Sequence, residues 1–393
     1  MKGTLTQKRQ EQLLETYKKA IQTRSYSNEE EKLAKFLQTV MLDLDFDEVH
    51  IDRVGNVVGR VGNGPVVIHF DSHMDTVAVS DEEEWTAPPF EAKEVDGMIY
   101  GRGSVDMKGG LTASIFAAAN AKEQGWLEGK TVYVTGSVCE EYCDGVCLEN
   151  FYADHKLVPD YCVICEPSDN VITLGHTGKV QARIKTFGIS AHGSAPEKGV
   201  NAVYEMAEII QRVENLNKTL QSTPGKGTIV LSQISSVAVS LNAVPDQCEI
   251  YLDRRLRLGE TIDDVKKELD ELVKGKNAKW EPGTLVMNSW TGEKLVYKPI
   301  HNPWKISMED PLTTASIEAY EKTFGHEPKK FDFWDFGTNA VVPVSLGVKT
   351  IGFGPGEYKL AHMRDERCDP NQVVQACEFY TNLIKNLPEE KQK

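Results

Sequence analysis

Long apolar runs are missing from this chain of 393 residues. None approaches the ~20 residues that a membrane-crossing helix needs, so no membrane partner is expected. An excess of basic charge is missing too. Aspartate and glutamate number 59 against 44 lysines and arginines, a formal net charge of −15, which argues against nucleic acid or an anionic lipid surface as partner. The opening segment Met1–Leu13 is polar and lacks the apolar centre of a secretory signal, so the expected location is cytoplasmic. Internal repeats and low-complexity segments are absent. Cysteine occurs eight times, but without the twice-repeated pairing of a zinc knuckle. Cys162 and Cys165 form a lone CxxC inside the apolar run Tyr161–Cys165, a strand pattern, whereas a reactive CxxC sits exposed at a helix start. Cys139, Cys143 and Cys147 recur every four residues, which a helix would place on one face, and core packing is the expected role.

What is present is an ordinary globular composition, 40% hydrophobic and 26% charged, in a chain long enough for two domains. Helical periodicity over Leu5–Ala20, Asn28–Leu44 and Gly109–Glu123 alternates with short apolar runs at Val66–Phe70, Thr131–Val138 and Tyr161–Cys165. Such runs are strands buried on both faces, and their alternation with helices predicts an α/β unit with a mostly parallel sheet flanked by helices. The texture then changes. Val180–Phe187 and Cys248–Leu252 alternate apolar with polar residues, and the amphipathic helices Asn201–Leu220 and Ile262–Val273 accompany them. An inserted α+β unit is expected, an antiparallel sheet plus two helices over residues 177–293. Residues 1–176 and 294–393 would then form one discontinuous domain, closed by helices at Pro311–Phe324 and Pro370–Leu387.

Histidines and acids stand where the buried strands end: His73 and Asp75, Glu140 and Glu141, Glu166, Asp106 before the alanine-rich helix, and His362 in a late glycine loop. Taken singly, each has a bland reading, since a Glu pair is ordinarily a solvated surface and an Asp before Gly-Gly a helix cap. Their coincidence is what counts. The carboxyl ends of parallel strands share one sheet edge, and so many carboxylates cannot be buried together without cations. Three carboxylates (Asp106, Glu141, Glu166) with His73 and His362 suit two divalent metal ions. Zn2+ fits this donor set best, with Co2+ or Mn2+ as alternatives. Asp75 is placed to orient His73, and Glu140 is free to act as the general base.

Five ordered motifs carry a resemblance: Ser72–Val77, Gly101–Gly110, Glu140-Glu141, Glu166-Pro167-Ser168, and Gly354-Pro355-Gly356 followed by Ala361-His362. Together they resemble the zinc aminoacylase/carboxypeptidase metallopeptidase family of acetylornithine deacetylase, succinyl-diaminopimelate desuccinylase and carboxypeptidase G. Within it, Glu140–Gly145, Ser190–Glu197 and Asp253–Leu256 are most similar to the branch of selenium metabolism-linked hydrolases. The resemblance implies a di-zinc peptidase-like catalytic domain and an inserted lid that dimerises. It implies His73, Asp106 and Glu166 on one metal, and Asp106, Glu141 and His362 on the other, with Asp106 bridging. His192 would reach the partner's active site and steady the oxyanion. Asn242 and Arg255 would grip the substrate, Gly354 and Gly356 would line its pocket, and the loop at Thr338 would face it. Thr338-Asn339 departs from the acid that many members carry, so the substrates of the biosynthetic deacylases do not transfer.

The expected function is therefore metal-dependent hydrolysis of an amide bond in a small N-acyl or N-carbamoyl amino acid or dipeptide, by attack of a metal-bridged water. The alternative is a non-catalytic small-molecule-binding protein that keeps the fold; loss of a ligand or of the base would be its mark, and neither is lost.

Overall fold

The computed structural model describes residues 3–391; the outermost positions of the expected larger unit, 1–2 and 392–393, lie outside the described residues. Its larger sheet has nine strands. Four form its parallel centre, in the order Lys130–Ser137, Val66–His73, Tyr161–Ile164 and Lys349–Gly352. Toward the edges lie antiparallel strands: Glu48–Ile51 and Val57–Gly62 on one side, and Thr173–His176 against Lys349–Gly352 on the other, where Asp332–Trp334 adds one parallel pairing to Thr173–His176. The central strands read as unbroken apolar runs because layers cover both faces. Phe70 packs on Tyr380 of the helix Pro370–Asn386, whereas its neighbour His69 packs on Phe151 of the helix Val146–His155. Successive residues of one strand thus serve opposite layers.

The second sheet is antiparallel, in the order Thr228–Val237, Gln247–Leu256, Gly178–Phe187 and Ala278–Pro282, with Ile300–His301 beside Gly178–Phe187. The helices Ala202–Ser222 and Ile262–Val273 cover one face and close a separate core around Ile184, Ile209, Ile250 and Leu269. Thr261 and Asp264 cap the second helix reciprocally, which fixes its start. Pro311–Phe324 begins after the capping Asp310 and stops at Gly325, φ 76°, where a left-handed residue ends a helix. The chain enters the lid sheet at Gly178 and returns through Ile300–His301, so these two crossings join the units. Leu285, Met287 and Trp290 pack against the larger core.

The cysteine spacing misleads. All three of Cys139, Cys143 and Cys147 are buried, but only Cys147 lies in a helix; Cys139 takes a positive φ of 59° in the turn before it. Among the described residues no helix is long and apolar enough to cross a membrane.

Candidate metal centre and active site

The parallel strands deliver their ends to one edge. His73 closes Val66–His73, Glu140 and Glu141 follow Lys130–Ser137, Glu166 follows Tyr161–Ile164, and His362 lies beyond Lys349–Gly352. Asp106 immediately precedes the helix Lys108–Glu123. Two triads of donor atoms result, His73–Asp106–Glu166 and Asp106–Glu141–His362, sharing Asp106. His73 Nε2 stands 2.9 Å from Asp106 Oδ1 and 3.5 Å from Glu166 Oε1. On the other side, His362 Nε2 stands 3.2 Å from Asp106 Oδ2 and 3.0 Å from Glu141 Oε2. Donors held about 2.0–2.1 Å from a tetrahedral ion lie about 3.4 Å from one another. The spacing therefore fits two divalent cations.

Charge makes the same demand. Burial pushes the Glu166 and Glu140 carboxyls well above their ordinary range. Burial alone would depress His73, but Glu166 and Asp106 raise it well above its usual value. Hydrogen bonds with Asp106 and Glu141 lift His362 to about 10. In the bare protein the imidazoles have to supply the positive charge; divalent ions would take over that duty and leave the histidines neutral donors. Glu140 is buried beside the cluster, its Oε2 3.9 Å from His73 Nε2, and no ligand triad needs it.

Asp75 does more than the sequence suggests. Its carbonyl accepts from His73 Nδ1 at 2.9 Å, while its carboxylate accepts the Glu140 and Glu141 backbone N–H groups at 3.0 and 3.2 Å. One residue therefore orients the His73 imidazole and fixes the loop that carries Glu140 and Glu141. Glu366 does the same for Asp106: its Oε1 accepts the Val105 and Asp106 N–H groups at 2.8 and 3.0 Å, and its Oε2 meets Arg102 at 2.6 Å. Sequence reasoning missed Glu366, because it stands in the charge run Arg364–Arg367 and reads as surface.

A cavity of about 330 Å³ opens over the donors, lined also by Asp144, Lys179, Arg255, Phe336 and Tyr358. Thr338 is not among the lining residues: it is fully buried, its Oγ1 accepts the Ala340 N–H, and Asn339 beside it braces Asp71 and Gly145. The expected contact with substrate gives way to a packing role. Gly354 and Gly356 also lie outside the lining. A Cβ on Gly354 would meet the Cys165 and Glu166 carbonyls at 2.4 Å, so the glycine lets the loop pass against the backbone carrying Glu166. Gly356 has φ +94°, a conformation few side chains tolerate. His192 and Asn242 are exposed and outside this cavity; their loops pair with each other through the Gly193 N–H and the Asn242 carbonyl. Cys162 and Cys165 are buried, and burial raises both thiols.

Fold and site define a hydrolase of the metallopeptidase type, and comparison with known proteins agrees. Residues 69–386 match peptidase family M20/M25/M40, and the chain belongs to that family. It is 34% identical over 364 residues to the uncharacterized protein YgeY of Escherichia coli (strain K12), covering 91% of this chain and 90% of that protein. Acetylornithine deacetylase of Aliivibrio fischeri (strain MJ11) is 28% identical over 346 residues, 85% of each chain. The M20 family metallo-carboxypeptidase Sso-CP2 of Sulfolobus solfataricus shares the fold, with a TM-score of 0.73 at 19% identity over 95% of this chain and 98% of that one.

Proposed function

We propose that this family member is a two-metal amide hydrolase acting on a small N-acyl or N-carbamoyl amino acid or a dipeptide. The observation that carries the reading is the pair of donor triads sharing Asp106, with the buried Glu140 beside them and outside both. His73, Asp106 and Glu166 would hold one ion, and Asp106, Glu141 and His362 the other, with Zn2+ favoured and Co2+ or Mn2+ able to replace it. The chemistry the ions supply when bound is Lewis acidity toward water and the scissile carbonyl. Glu140 accepts the proton of the attacking water and returns it to the leaving amine. Asp75 holds Glu140 in place through the backbone contact, and Arg255 faces the substrate.

The lid, residues 177–293 in this reading, also supports a homodimer. Its outer strand Thr228–Val237 leaves Val230, Ile234 and Val237 exposed, with Val239 and Leu241 just beyond. An apolar, unpaired edge is a pairing surface, and a second copy is the proposed occupant. His192 and Asn242 would then act across the interface. All eight cysteines are free and buried, which supports the cytoplasmic placement.

The test is turnover of N-acetyl, N-formyl, N-carbamoyl and dipeptide substrates by chelator-stripped protein, with and without added Zn2+, Co2+ or Mn2+. Metal-restored cleavage is expected, and Glu140→Gln should bind metal normally while losing at least ~10³-fold in turnover. Cleavage that survives both stripping and Glu140→Gln would refute the mechanism, and no cleavage with metal bound would favour a binding protein.

A further inference from the structure

A turn from the N-terminal region braces both loops that leave the central strands beside the metal donors. Residues 25–30 connect the helices Gln7–Gln22 and Glu31–Asp43. The first half of this turn pairs with the loop after His73. The Thr76 N–H donates to the Ser25 carbonyl at 2.9 Å, and Ser25 Oγ donates to the Met74 carbonyl at 2.7 Å. Ser27 Oγ then donates to Asp75 Oδ2 at 2.6 Å. The same carboxylate accepts the Glu140 and Glu141 N–H groups, so Ser27 steadies the second loop through Asp75.

The other half of the turn reaches that second loop directly. Glu30 is completely buried, although Glu29 and Glu31 on either side are exposed. Its side chain does not cap the helix that starts beside it. Glu30 Oε1 instead accepts the Cys139 N–H at 3.0 Å and lies 3.6 Å from Cys139 Sγ, while Asn28 Oδ1 stands 3.4 Å from the same sulfur. Cys139 immediately precedes Glu140, and its φ of 59° is a left-handed conformation that a side chain adopts only at a cost. Such a conformation persists where its surroundings over-determine it, and Glu30 and Asn28 are part of those surroundings. Burial, with Asp75 nearby, pushes the Glu30 carboxyl up to about 8. A neutral acid therefore fills the position at pH 7, and glutamine is its isostere.

We propose that Glu30 is a positioning residue of the active site: by holding Cys139 in its left-handed turn it sets the direction in which Glu140 leaves the strand end, and Ser27 supports the same loop through Asp75. The inference rests on the amide-hydrolase reading, which gives Glu140 its task. Neither Glu30 nor Ser27 belongs to the candidate donor triads, so their loss should reach the base before it reaches the metals. The run Glu29-Glu30-Glu31 reads as a solvated acidic surface, which is why the sequence hides the role.

The experiment compares metal-loaded wild type with Glu30→Ala, Glu30→Gln, Ser27→Ala and the double variant Glu30→Ala/Cys139→Gly on the best substrate of the panel. A misplaced catalytic group costs on the order of 10–100-fold in rate. Glu30→Ala should therefore lower kcat by about 10–100-fold while KM stays within about 3-fold and metal content is unchanged. Glu30→Gln keeps the acceptor for the Cys139 N–H and should retain most of the wild-type kcat. Glycine takes the left-handed turn without cost, so Cys139→Gly should recover most of the kcat that Glu30→Ala loses, a rescue that no general loss of packing gives. Ser27→Ala removes one hydrogen bond at a half-buried position and should lower kcat about 2–10-fold, again with KM unchanged. Should Glu30→Ala fail to fold, Ser27→Ala and Glu30→Gln decide: an unchanged kcat in the first, or a Glu30→Gln loss as large as about 10–100-fold, overturns the proposal. A Glu30→Ala loss that falls on KM or metal content, or a double variant no better than Glu30→Ala, overturns it as well. Unchanged variants of an active wild type leave the hydrolase reading intact, whereas a wild type that cleaves no panel member refutes that reading and the positioning role with it.

Discussion

Replacing Glu366 by alanine should damage the protein in two separable ways. Glu366 is completely buried, and three groups depend on it: Arg102, itself only 4% exposed, and the Val105 and Asp106 N–H groups. Arg102 keeps weak contacts, 3.4 Å each, to the Met363 and His362 carbonyls, and the Trp85 ring 5.4 Å away. Removing one partner of a buried ion pair costs about 3–5 kcal/mol, and an orphaned N–H about 1–3 kcal/mol more. Because these overlap, and water can enter the vacated space, about 4–6 kcal/mol is the expected loss. That is a large part of the ~5–15 kcal/mol that holds a typical protein folded. The second effect is on metal. The Asp106 backbone loses its anchor, and loosening the support of a ligand costs about 10–100-fold in affinity. Bound metal stabilises the native state by mass action, so the two effects need different conditions. Urea unfolding with excess chelator reads the first, and competition with a chromophoric chelator reads the second. A loss under ~1 kcal/mol together with unchanged metal affinity would refute the reasoning.

His69 supplies a pH test outside the candidate donor set, four residues before His73 on the same strand: burial holds it at about 3, against 6.5 unperturbed. The unfolded chain then binds the proton more readily throughout that interval, so stability rises with pH from about 3 to about 6.5 and this contribution is lost on acidification. At pH 5 the loss is about 2 kcal/mol relative to neutral pH; the urea midpoint of His69→Gln should fall less between pH 7 and pH 5 than that of the wild type, and an equal fall would refute it. For the lid edge, Ile234→Lys should convert a dimer to a monomer in sedimentation velocity, since a buried lysine opposes pairing; a wild type already monomeric at micromolar concentration would dispose of the interface.

That these donors would converge was legible because they stand at strand ends, and strand ends are visible as the termini of apolar runs. His73, Glu141 and Glu166 each follow such a run within a few residues, and parallel topology does the rest. What stayed hidden was decided by burial and by pairing across the sheet, which no local pattern encodes. Glu366 looks like one acid among several charges, yet it is the one turned inward. Thr338 lies in a loop that does reach the cavity, through Phe336 and Gly337, but at Thr338, the very next residue, the chain has already turned into the core. The cysteine spacing suggested a helical face, but the chain makes a positive-φ turn at Cys139 and the helix starts after Gly145, whose own φ is 83°.

The placement of charge suggests how the two units divide the work. The candidate metal donors all come from the larger unit, most of them at the ends of strands hydrogen-bonded on both sides, where positional error is least. Arg255 and Lys179, which line the same cavity, come instead from the lid sheet. Asp144 and Glu140 sit four residues apart in one loop, and Asp75 clamps that loop from behind while Lys179 meets it from the lid. The Lys179–Asp144 pair is therefore the contact through which the lid sheet bears on the loop that carries Glu140.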